Sequence, residues 1–484
     1  MGAVRRAWRM SSSSSLSSSS DTIFALSSGR GVAGVAVVRI SGPGAVGALE
    51  ALTPGCRLPA TRYAAVRRLR HQERVLDEAL VLRFAGPASF TGEDVVELHC
   101  HGGPATVDGV LSALSQLPRL RPAERGEFTR RAFAAGKLGV TQVEGLADLL
   151  AASTSRQRDQ ALRVMDGALE REYGAWRSEL AGIRAAAEAA IDFGDEMEGE
   201  VDAAATLGPL EARARRLRRA LARALGVADR CQAVRDGARV VLAGPPNAGK
   251  SSLVNLLAAR PAAIVSDVAG TTRDVLEVRL NLAGFEVKLY DTAGIRDAAD
   301  GLEAEGIRRA REACDAAHLV CYVIDAGNYY WGTDFLSPQN NNNNNNNNKL
   351  DLVVLNKVDL IEDNDAMSTI LSRLRTDLGT DLPIVTTTAI QPDGADALLA
   401  AIETHLVDRW DAADHDDAPT VVRERHRRHV QACLDALDSA LLQSEPELFA
   451  EDLRLATLEI GKLVGAIDVE DVLDSLFRDF CIGK

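Results

Sequence analysis

Hydrophobic and polar positions are spaced differently in successive parts of the chain, and each spacing predicts a different kind of element. Short apolar runs of strand type, separated by glycine and proline turns, occupy 35–40, 78–84 and 94–99. One apolar helix is predicted near 105–117. Together these elements predict a small α+β domain over residues 21–137.

Helical spacing dominates the next part of the chain and returns near its end. Apolar residues recur every three to four positions from about 138 to 235 and again from about 420 to 484. Between these stretches, apolar strands end in polar loops at Ala238–Ala243, Val287–Tyr290, His318–Asp325 and Leu352–Leu355. We therefore expect an α/β domain at 236–408, inserted into a helical domain formed by 138–235 and 409–484.

A glycine-rich segment follows the first of these strands. Gly244–Ser252 fits the pattern G-x-x-x-x-G-K-[ST], in which a strand turns through a loop into a helix beginning near Lys250. Loop N–H groups bind phosphate, Lys250 reaches the terminal phosphates, and the Ser251 hydroxyl ligates Mg²⁺. This context favours a nucleoside triphosphate site over a glycine turn with a solvated lysine. The expected contacts are Asn247, Ala248, Gly249, Lys250, Ser251 and Ser252.

A second polar segment, Asn356–Asp359, predicts which base is bound. It has the pattern N-K-x-D at the end of a strand and supplies Asn356, Lys357 and Asp359. The Asp359 carboxylate can accept two hydrogen bonds from the N1–H and 2-amino groups of guanine, and adenine offers no such pair. The chain is therefore predicted to bind GTP and, after hydrolysis, GDP.

Two further segments complete the nucleotide pattern. Asp291, Thr292, Ala293 and Gly294 supply an acidic residue on the magnesium side and a glycine N–H for the γ-phosphate. Thr271 and Thr272 are the expected switch hydroxyls, ordered by phosphate and magnesium. Four segments in this order and spacing indicate a GTPase.

The water-orienting group is not where many GTPases have a glutamine. Ile295 follows Gly294 and cannot hydrogen-bond water, so the role moves to a nearby acid: Asp297, Asp300, Glu303 or Glu305. The amide of Asn247 can ligate a monovalent cation that neutralises developing charge, or it is simply a turn residue.

Composition narrows the class of protein. The chain has 484 residues, 46% hydrophobic and 26% charged, as expected for a soluble globular protein of several domains. It contains no run of about 18 apolar residues that predicts a membrane span. Its seven scattered cysteines argue against a disulfide framework or a zinc site. A net charge of −14 argues against indiscriminate nucleic-acid binding but allows a local basic patch.

Two segments differ in composition from the rest. Residues 1–20 contain three arginines and nine serines but no acidic residue, which is typical of a transit peptide, with a disordered serine-rich tail as the alternative. Asn340–Asn348 is a run of nine asparagines, to which we assign neither structure nor function.

Several short segments resemble one known family. They are Asp21–Ile23, Val38–Gly42, Ser89–Asp94, His101–Pro104, Gly126–Phe128, Arg131–Phe133, Lys137–Leu138, Ala450–Ala456 and Phe480–Lys484. The chain is similar from Asp21 to its last residue to the tRNA-modification GTPases called MnmE or TrmE, in the form found in mitochondria. Generic GTPases do not end in Phe-Cys-Ile-Gly-Lys, so this segment is highly specific.

The resemblance implies a multidomain α/β and α+β fold. It comprises an N-terminal folate-binding-like domain, a discontinuous helical domain and an inserted Ras-like P-loop GTPase domain. It also implies a homodimer, an FAD-dependent partner of the MnmG type, and joint addition of an aminomethyl-type group to carbon 5 of the wobble uridine of certain tRNAs. A mitochondrial location follows, with plastid or cytoplasm as alternatives.

The resemblance also implies roles for individual residues. It suggests Mg²⁺, K⁺ and 5-formyl-tetrahydrofolate, or a related one-carbon folate, as cofactors. The folate contacts fall on Arg39, Glu97, Lys137 and Lys484. The catalytic glutamate falls on Glu303; the K⁺ ligands fall on Asn247, Ser266, Val268 and Thr271; and the Mg²⁺ ligands fall on Ser251 and Thr272. Further nucleotide contacts fall on Ser266, Asp267, Val268, Ala269, Gly270, Thr388 and Ala389, and Cys481 becomes a possible tRNA-modification thiol.

Some positions depart from the family pattern. Ser27-Ser28 replaces a proline pair, Val32 replaces a glycine, and Ile390 follows Thr388-Ala389 where a lysine is usual. Two other functions share part of these features: an RNA-associated switch GTPase of ribosome assembly, and a folate-dependent one-carbon enzyme. The first has no use for the Phe480–Lys484 segment, and the second has no use for GTP.

Overall fold

The computed structural model describes nine stretches of the chain. They are 21–194, 203–264, 277–291, 303–328, 350–361, 363–378, 382–410, 421–465 and 470–484. The chain divides into two compact units, of which unit 1 contains residues up to 147 together with 461–484, and unit 2 contains 148–460. In the described stretches, no helix is both long enough and apolar enough to cross a membrane.

Unit 1 is built on a six-stranded sheet. Its strands are β1 Thr22–Leu26, β2 Ala33–Ser41, β3 Ala65–His71, β4 Arg74–Phe84, β5 Val95–Gly102 and β6 Leu120–Pro122. Their order is β3-β4-β5-β2-β1-β6, and every pair is antiparallel except β1 with β6. The helices between residues 21 and 151 are α1 Ala45–Leu52, α2 Pro104–Ser115, α3 Glu127–Ala134 and α4 Val140–Ala151.

The two faces of the unit 1 sheet differ in chemistry because strand side chains alternate. Val38, Ile40 and Leu98 point into a core that α1 and α2 cover. Arg39 and Glu97 lie on the opposite face and pair in register across β2 and β5. Alternation therefore places two charged side chains side by side, away from the main core.

Unit 2 contains a second sheet, and along the chain helices precede and follow its strands. The first helices are α5 Ser155–Met165, α6 Ala168–Gly194, α7 Ala203–Gly226 and α8 Ala228–Asp236. The sheet region contains β7 Ala238–Ala243, α9 Lys250–Ala258, β8 Glu277–Leu282, β9 Phe285–Asp291, α10 Glu303–Asp315, β10 Leu319–Asp325, β11 Leu352–Asn356, α11 Asn364–Leu378, β12 Ile384–Thr386 and α12 Asp396–Trp410. The last helices are α13 Glu424–Ala440 and α14 Pro446–Leu463.

The sheet of unit 2 has the order β12-β11-β10-β7-β9-β8, with β8 antiparallel to β9 and the other pairs parallel. Apolar clusters cover both faces, one with residues of α9 and α12 and the other with residues of α10 and α11. All four strands predicted in this region are present, and α9 begins at Lys250 as expected. This is the α/β fold that positions loops at the carboxyl ends of parallel strands.

The β8–β9 hairpin is bound to the start of α5. The Gln157 amide donates to Glu286 Oε2 at 2.7 Å and to the Arg235 carbonyl at 3.1 Å. Arg156 Nε donates to the Ala283 carbonyl at 2.8 Å, and its guanidinium lies 4.2 Å from the Phe285 ring centroid. Both Gln157 and Glu286 are buried, so this polar contact is shielded from water.

The C-terminal segment completes unit 1. Helix α15 Glu470–Asp479 contributes Leu473, Leu476 and Phe477 to an apolar cluster with Val140 and Val143. The terminal residues then pair with the N-terminal part of the chain through a bridge between Arg125 and Ile482. The first and last parts of the chain therefore share one core.

Candidate functional site

The loop between β7 and α9 has a backbone that only certain residues allow. Gly244 has φ +138°, and a Cβ there would lie 2.3 Å from the Val323 carbonyl oxygen. Gly249 has φ +90°, and a Cβ there would lie 2.2 Å from Asn356 Nδ2. Asn247 also has a left-handed backbone, with φ +63°. The two glycines are therefore required for the loop to pass close to β10 and β11.

Lys250 and Ser251 begin α9 beside this loop. Lys250 is buried, and its Nζ donates to the carbonyls of Gly244 at 3.0 Å and Pro245 at 2.8 Å. The Ser251 hydroxyl donates to Asp291 Oδ2, and Asp291 is fully buried at the end of β9. An ammonium group therefore lies against the loop, and two hard oxygen ligands lie together at the helix N-terminus.

The N-K-x-D segment contacts the phosphate loop directly. Asn356 Nδ2 donates to the Ala248 carbonyl at 2.9 Å, and Lys357 Nζ donates to the Asn247 carbonyl at 2.7 Å. Lys357 Nζ also lies 2.7 Å from Asp325 Oδ2. The segment therefore braces the loop between β7 and α9.

Asp359 is exposed, and one of its carboxylate oxygens accepts a hydrogen bond from the Thr388 hydroxyl. Thr388 is held in turn because its N–H donates to the Gly394 carbonyl at 3.0 Å. Ile390 is 77% exposed and carries no group that can hydrogen-bond a base. The Asp359 carboxylate is oriented but open, as a ligand-binding group requires.

Several predicted site residues lie outside the described stretches. They are Ser266, Asp267, Val268, Ala269, Gly270, Thr271, Thr272, Thr292, Ala293, Gly294, Ile295, Asp297 and Asp300, together with Met1–Ser20 and Asn340–Asn348. The backbone of Glu303 begins α10, but its side chain and that of Glu305 are outside the described part of the structure.

A second polar site lies in unit 1, around Arg39 and Glu97. Arg39 Nε donates to Glu97 Oε1 at 3.0 Å, and Nη2 lies 2.8 Å from the same oxygen. The guanidinium also lies 5.5 Å and 5.8 Å from the ring centroids of Phe90 and Phe128. Both charged side chains are about 15% exposed, so they are largely shielded from water.

The chain terminus lies at the same site. The Ser27 hydroxyl donates to the Gly483 carbonyl at 2.9 Å, and a Cβ on Gly483 would lie 2.2 Å from the Leu26 carbonyl oxygen. Burial and then the Arg39 charge lower the pKa of Lys484, while Glu97 and Cys481 act in the opposite direction. Lys484 therefore lies within electrostatic range of both members of the pair.

Lys137 and Cys481 are exposed. The Lys137 Cε would lie 3.7 Å from a Cβ on Gly92, in the loop that also carries Phe90. Arg39, Glu97, Lys484 and Cys481 are thus brought together, and Lys137 lies beside the adjoining loop. An arginine, a carboxylate, two lysines and aromatic rings suit a planar, hydrogen-bonding ligand with an anionic tail.

A supporting ion-pair cluster lies at the start of α3. Glu127 is buried and accepts from Arg121 at 2.9 and 2.7 Å, from Arg131 at 3.1 Å, and from the Glu124 N–H at 2.9 Å. Burial acts to raise the pKa of Glu127, but the bonds from Arg121 and the other donors outweigh it and leave the pKa below its ordinary value. The carboxylate is therefore ionised in the folded protein at neutral pH.

Some residues of both sites were not found from the sequence. Asp325 and Thr387 hold Lys357 and Asn356, with Thr387 Oγ1 donating to Asn356 Oδ1 at 3.0 Å. His99 Nε2 lies 3.4 Å from Glu97 Oε2 in unit 1. The position of Asp325 at the end of the strand preceding the N-K-x-D strand is the one signal that would have identified it.

The chain is similar to known proteins over nearly its whole length. Residues 22–137 match the family model described as GTP-binding protein TrmE N-terminus, and 140–481 match the MnmE helical domain. A tRNA modification GTPase MnmE of Parvibaculum lavamentivorans is 48% identical over 96% of this chain and 100% of its own length. The mitochondrial 5-taurinomethyluridine-[tRNA] synthase subunit GTPB3 of Rattus norvegicus is 45% identical, over 96% of this chain and 93% of its own.

Proposed function

Because the chain belongs to the MnmE family of tRNA modification GTPases, we propose that it hydrolyses GTP to drive modification of the wobble uridine of certain tRNAs. The observation that carries the proposal is the direct bonding of the N-K-x-D segment to the phosphate loop. This bonding connects the segment proposed to select the base with the loop proposed to bind the phosphates. With an FAD-dependent partner of the MnmG type, the protein adds an aminomethyl-type group at carbon 5.

GTP occupies the loop between β7 and α9. Lys250 turns from the loop carbonyls to the terminal phosphates, and Asp359 accepts hydrogen bonds from guanine. Ser251 and Asp291 are oxygen groups of the kind Mg²⁺ prefers, and they are already in contact. Thr272 is proposed as a further magnesium ligand. Bound Mg²⁺ supplies positive charge that neutralises the phosphates.

Hydrolysis relies on Glu303 to orient water and on K⁺ for charge neutralisation. Ile295 cannot orient water, and Glu303 begins the helix that follows it. Asn247 is an exposed loop residue whose side chain is available to a cation, and its backbone carbonyl is used by Lys357. Ser266, Val268 and Thr271 complete the proposed K⁺ ligands.

The unit 1 site binds 5-formyl-tetrahydrofolate or a related one-carbon folate. Glu97 accepts from the pterin N–H edge, Phe90 offers an aromatic face, and Arg39, Lys137 and Lys484 bind carboxylates of the tail. The presence of Lys484 beside Arg39 and Glu97 supports this assignment. A bound one-carbon folate supplies the carbon for the modification, and Cys481 is proposed as a thiol taking part in it.

Assembly and location follow from the same relationship. We propose a homodimer joined through the N-terminal domains and a mitochondrial location directed by residues 1–20, since the mammalian relatives are described as mitochondrial. The proposed domains are 21–137, 138–235 with 409–484, and 236–408.

Mass spectrometry of the wobble uridine tests this function. A strain lacking the gene should lose the modified nucleoside, and the intact protein should restore it. Normal wobble uridine in the deletion strain, together with defective ribosome assembly, would instead favour the RNA-associated switch GTPase. Turnover of GTP in K⁺ and Na⁺ buffers tests the cation, and equal rates would remove K⁺ from the proposal.

A further inference from the structure

Helix α7 carries an unusual concentration of positive charge. Six arginines lie between positions 213 and 223, namely Arg213, Arg215, Arg216, Arg218, Arg219 and Arg223. The whole chain has a net charge of −14, so the charge of this stretch is opposite in sign to that of the chain as a whole. A solvated helix face usually pairs its cations with acids three or four residues away, and α7 does so only in part.

Three of these arginines are neutralised by carboxylates. Arg213 Nε lies 2.9 Å from Glu179 Oε1, and Arg215 Nη2 lies 3.0 Å from Glu211 Oε2. Arg218 Nη2 donates to Asp438 Oδ2 at 3.1 Å. The Arg213 and Arg218 pairs attach α7 to α6 and α13, whereas the Arg215–Glu211 pair lies within α7 itself.

Arg216, Arg219 and Arg223 remain as surplus charge. All three are exposed, and Arg219 and Arg223 form no hydrogen bond or ion pair with the described residues. Arg216 lies within electrostatic range of Glu179, which Arg213 already neutralises. A rise of 1.5 Å per residue places Arg216 and Arg223 about 10 Å apart along the helix. We call these three residues the α7 arginine face.

An open groove of about 480 Å³ adjoins this face. Arg215, Arg218, Arg219 and Asp438 line it together with Leu441 and Leu442 from the end of α13. Leu442 is 84% exposed, which is a large apolar exposure for an isolated side chain. Arg215 and Arg218 are paired with carboxylates, so Arg219 supplies the surplus positive charge of the groove, and the leucines supply an apolar surface for a base or ribose.

We propose that the α7 arginine face and its groove bind tRNA, with Arg216, Arg219 and Arg223 contacting backbone phosphates. The inference rests on the proposed tRNA function and identifies the surface that holds this substrate. Arginine is suited to phosphate because its guanidinium forms two parallel hydrogen bonds and is weakly hydrated. The contacts are to the backbone, so they set affinity and orientation and leave the choice of tRNA to other contacts.

The test uses the full-length protein carrying Arg216→Gln, Arg219→Gln and Arg223→Gln. Glutamine retains helix propensity, so α7 should keep its fold. Filter binding of an unmodified tRNA transcript, repeated over a range of KCl concentrations, should show affinity reduced by about tenfold or more at low salt. The slope of log affinity against log salt should fall by roughly 2–3, about one for each phosphate that the variant no longer binds. GTP turnover without tRNA should be unchanged.

The matched control carries Arg68→Gln, Arg171→Gln and Arg373→Gln, three exposed arginines of β3, α6 and α11. It has the same net charge as the test variant, and its tRNA affinity and salt slope should match those of the unaltered protein. Equal losses in both variants would overturn the inference, because only total charge would then matter. Retained tRNA affinity with no binding to the flavoprotein partner would also overturn it, since the surface would then dock a protein.

Failure of the proposed function would give different results from failure of this inference. An unaltered protein that binds no tRNA and restores no wobble modification would remove the tRNA function and this inference together. An unaltered protein that restores modification, with an α7 variant that binds tRNA equally well, would remove only the surface assigned here.

Discussion

Lys357 shows how a single side chain can connect two loops. Its backbone is left-handed, with φ +62°, and its Nζ reaches both the Asn247 carbonyl and the Asp325 carboxylate at 2.7 Å. The side-chain stem therefore spans the space between the phosphate loop and the N-K-x-D segment. Any change at Lys357 is expected to disturb phosphate binding and base binding together, because the two loops share this support.

Substitutions at two other residues should distinguish the hydrolysis of GTP from its binding. Glu303→Ala should reduce GTP turnover by roughly two orders of magnitude or more with little change in GTP affinity, because the carboxylate acts on water alone. Asp359→Asn should weaken GTP affinity, because the amide cannot accept both guanine hydrogen bonds. Turnover and nucleotide titration measure the two effects. Normal turnover of Glu303→Ala would transfer the role to Asp297, Asp300 or Glu305.

The buried Glu127 gives a stability that depends on pH. Its pKa is lowered in the folded state, so its contribution is present above the unfolded pKa of about 4.3 and is lost as pH falls through the folded pKa. Glu127→Gln should cost about 2–4 kcal/mol at pH 7. Urea unfolding at pH 7 and pH 3 should show this cost shrinking in acid. The exposed Glu124→Gln is the control, and an equal loss at both pH values would contradict the account.

Motif residues could be identified from the sequence because only a few side chains have the chemistry to bind phosphate, its metal ion or guanine. Lys250, Asp291 and Asp359 are of this kind. Asp325 and Thr387 belong to no motif, and their roles depend on register, since parallel pairing places Asp325 opposite Asn356. A register between strands 31 residues apart cannot be derived from local spacing.

At the scale of elements, the β8–β9 hairpin is held to α5 by buried polar contacts. Gln157→Glu would oppose a second carboxylate to Glu286, with both groups out of water. This change should destabilise unit 2 by about 3–5 kcal/mol. Gln431→Glu is the matched control, because Gln431 faces Asp435 at 2.8 Å on an exposed helix surface.

Denaturant unfolding of both variants gives the comparison. Gln431→Glu should cost only a few tenths of a kcal/mol, as for like charges on a solvated helix. Similar losses of unfolding free energy in the two variants would show that burial of the hairpin contact does not increase the cost of placing two carboxylates together.

Removal of the terminal segment should affect tRNA modification and GTP hydrolysis differently. Removing Cys481–Lys484 deletes the bond from Ser27 to Gly483 and the lysine beside Arg39. We expect tRNA modification to be abolished and GTP hydrolysis to be largely retained. Lys484→Gln keeps the backbone contacts, so it should lose modification without loss of stability. A truncated protein that restores the modified uridine in a deletion strain would contradict this prediction.

Element prediction succeeded where the hydrophobic signal was long. The helix predicted at 105–117 is observed at Pro104–Ser115, and the strand predicted at 35–40 is observed at Ala33–Ser41. Strands β1, β3 and β6 of unit 1 and strands β8 and β12 of unit 2 are not predicted from the sequence. Strand β3 is largely charged, with Arg67, Arg68 and Arg70 on an edge, and β6 has only three residues. Pairing with neighbouring strands holds such segments in the sheet. The spacing of apolar residues along the chain does not indicate which strands will be neighbours.

At the scale of the molecule, unit 1 is completed by residues far apart in sequence. Phe477 is 2% exposed, and the Arg130 guanidinium lies 5.2 Å from its ring centroid. A fragment of residues 21–147 should bind a hydrophobic dye such as ANS, because Val140 and Val143 lose their cover. Adding a peptide of residues 461–484 should suppress dye binding. The same peptide with Phe477→Ala should act more weakly by about 3–5 kcal/mol.

The shared core of unit 1 also sets an order of events during synthesis. About 310 residues separate its two parts, and translation at roughly 5–20 residues per second delays the second part by about 15–60 s. During that interval the apolar side of α4 lacks the α15 residues that cover it in the folded unit. We therefore expect the nascent chain to expose this apolar surface of α4 until α15 leaves the ribosome.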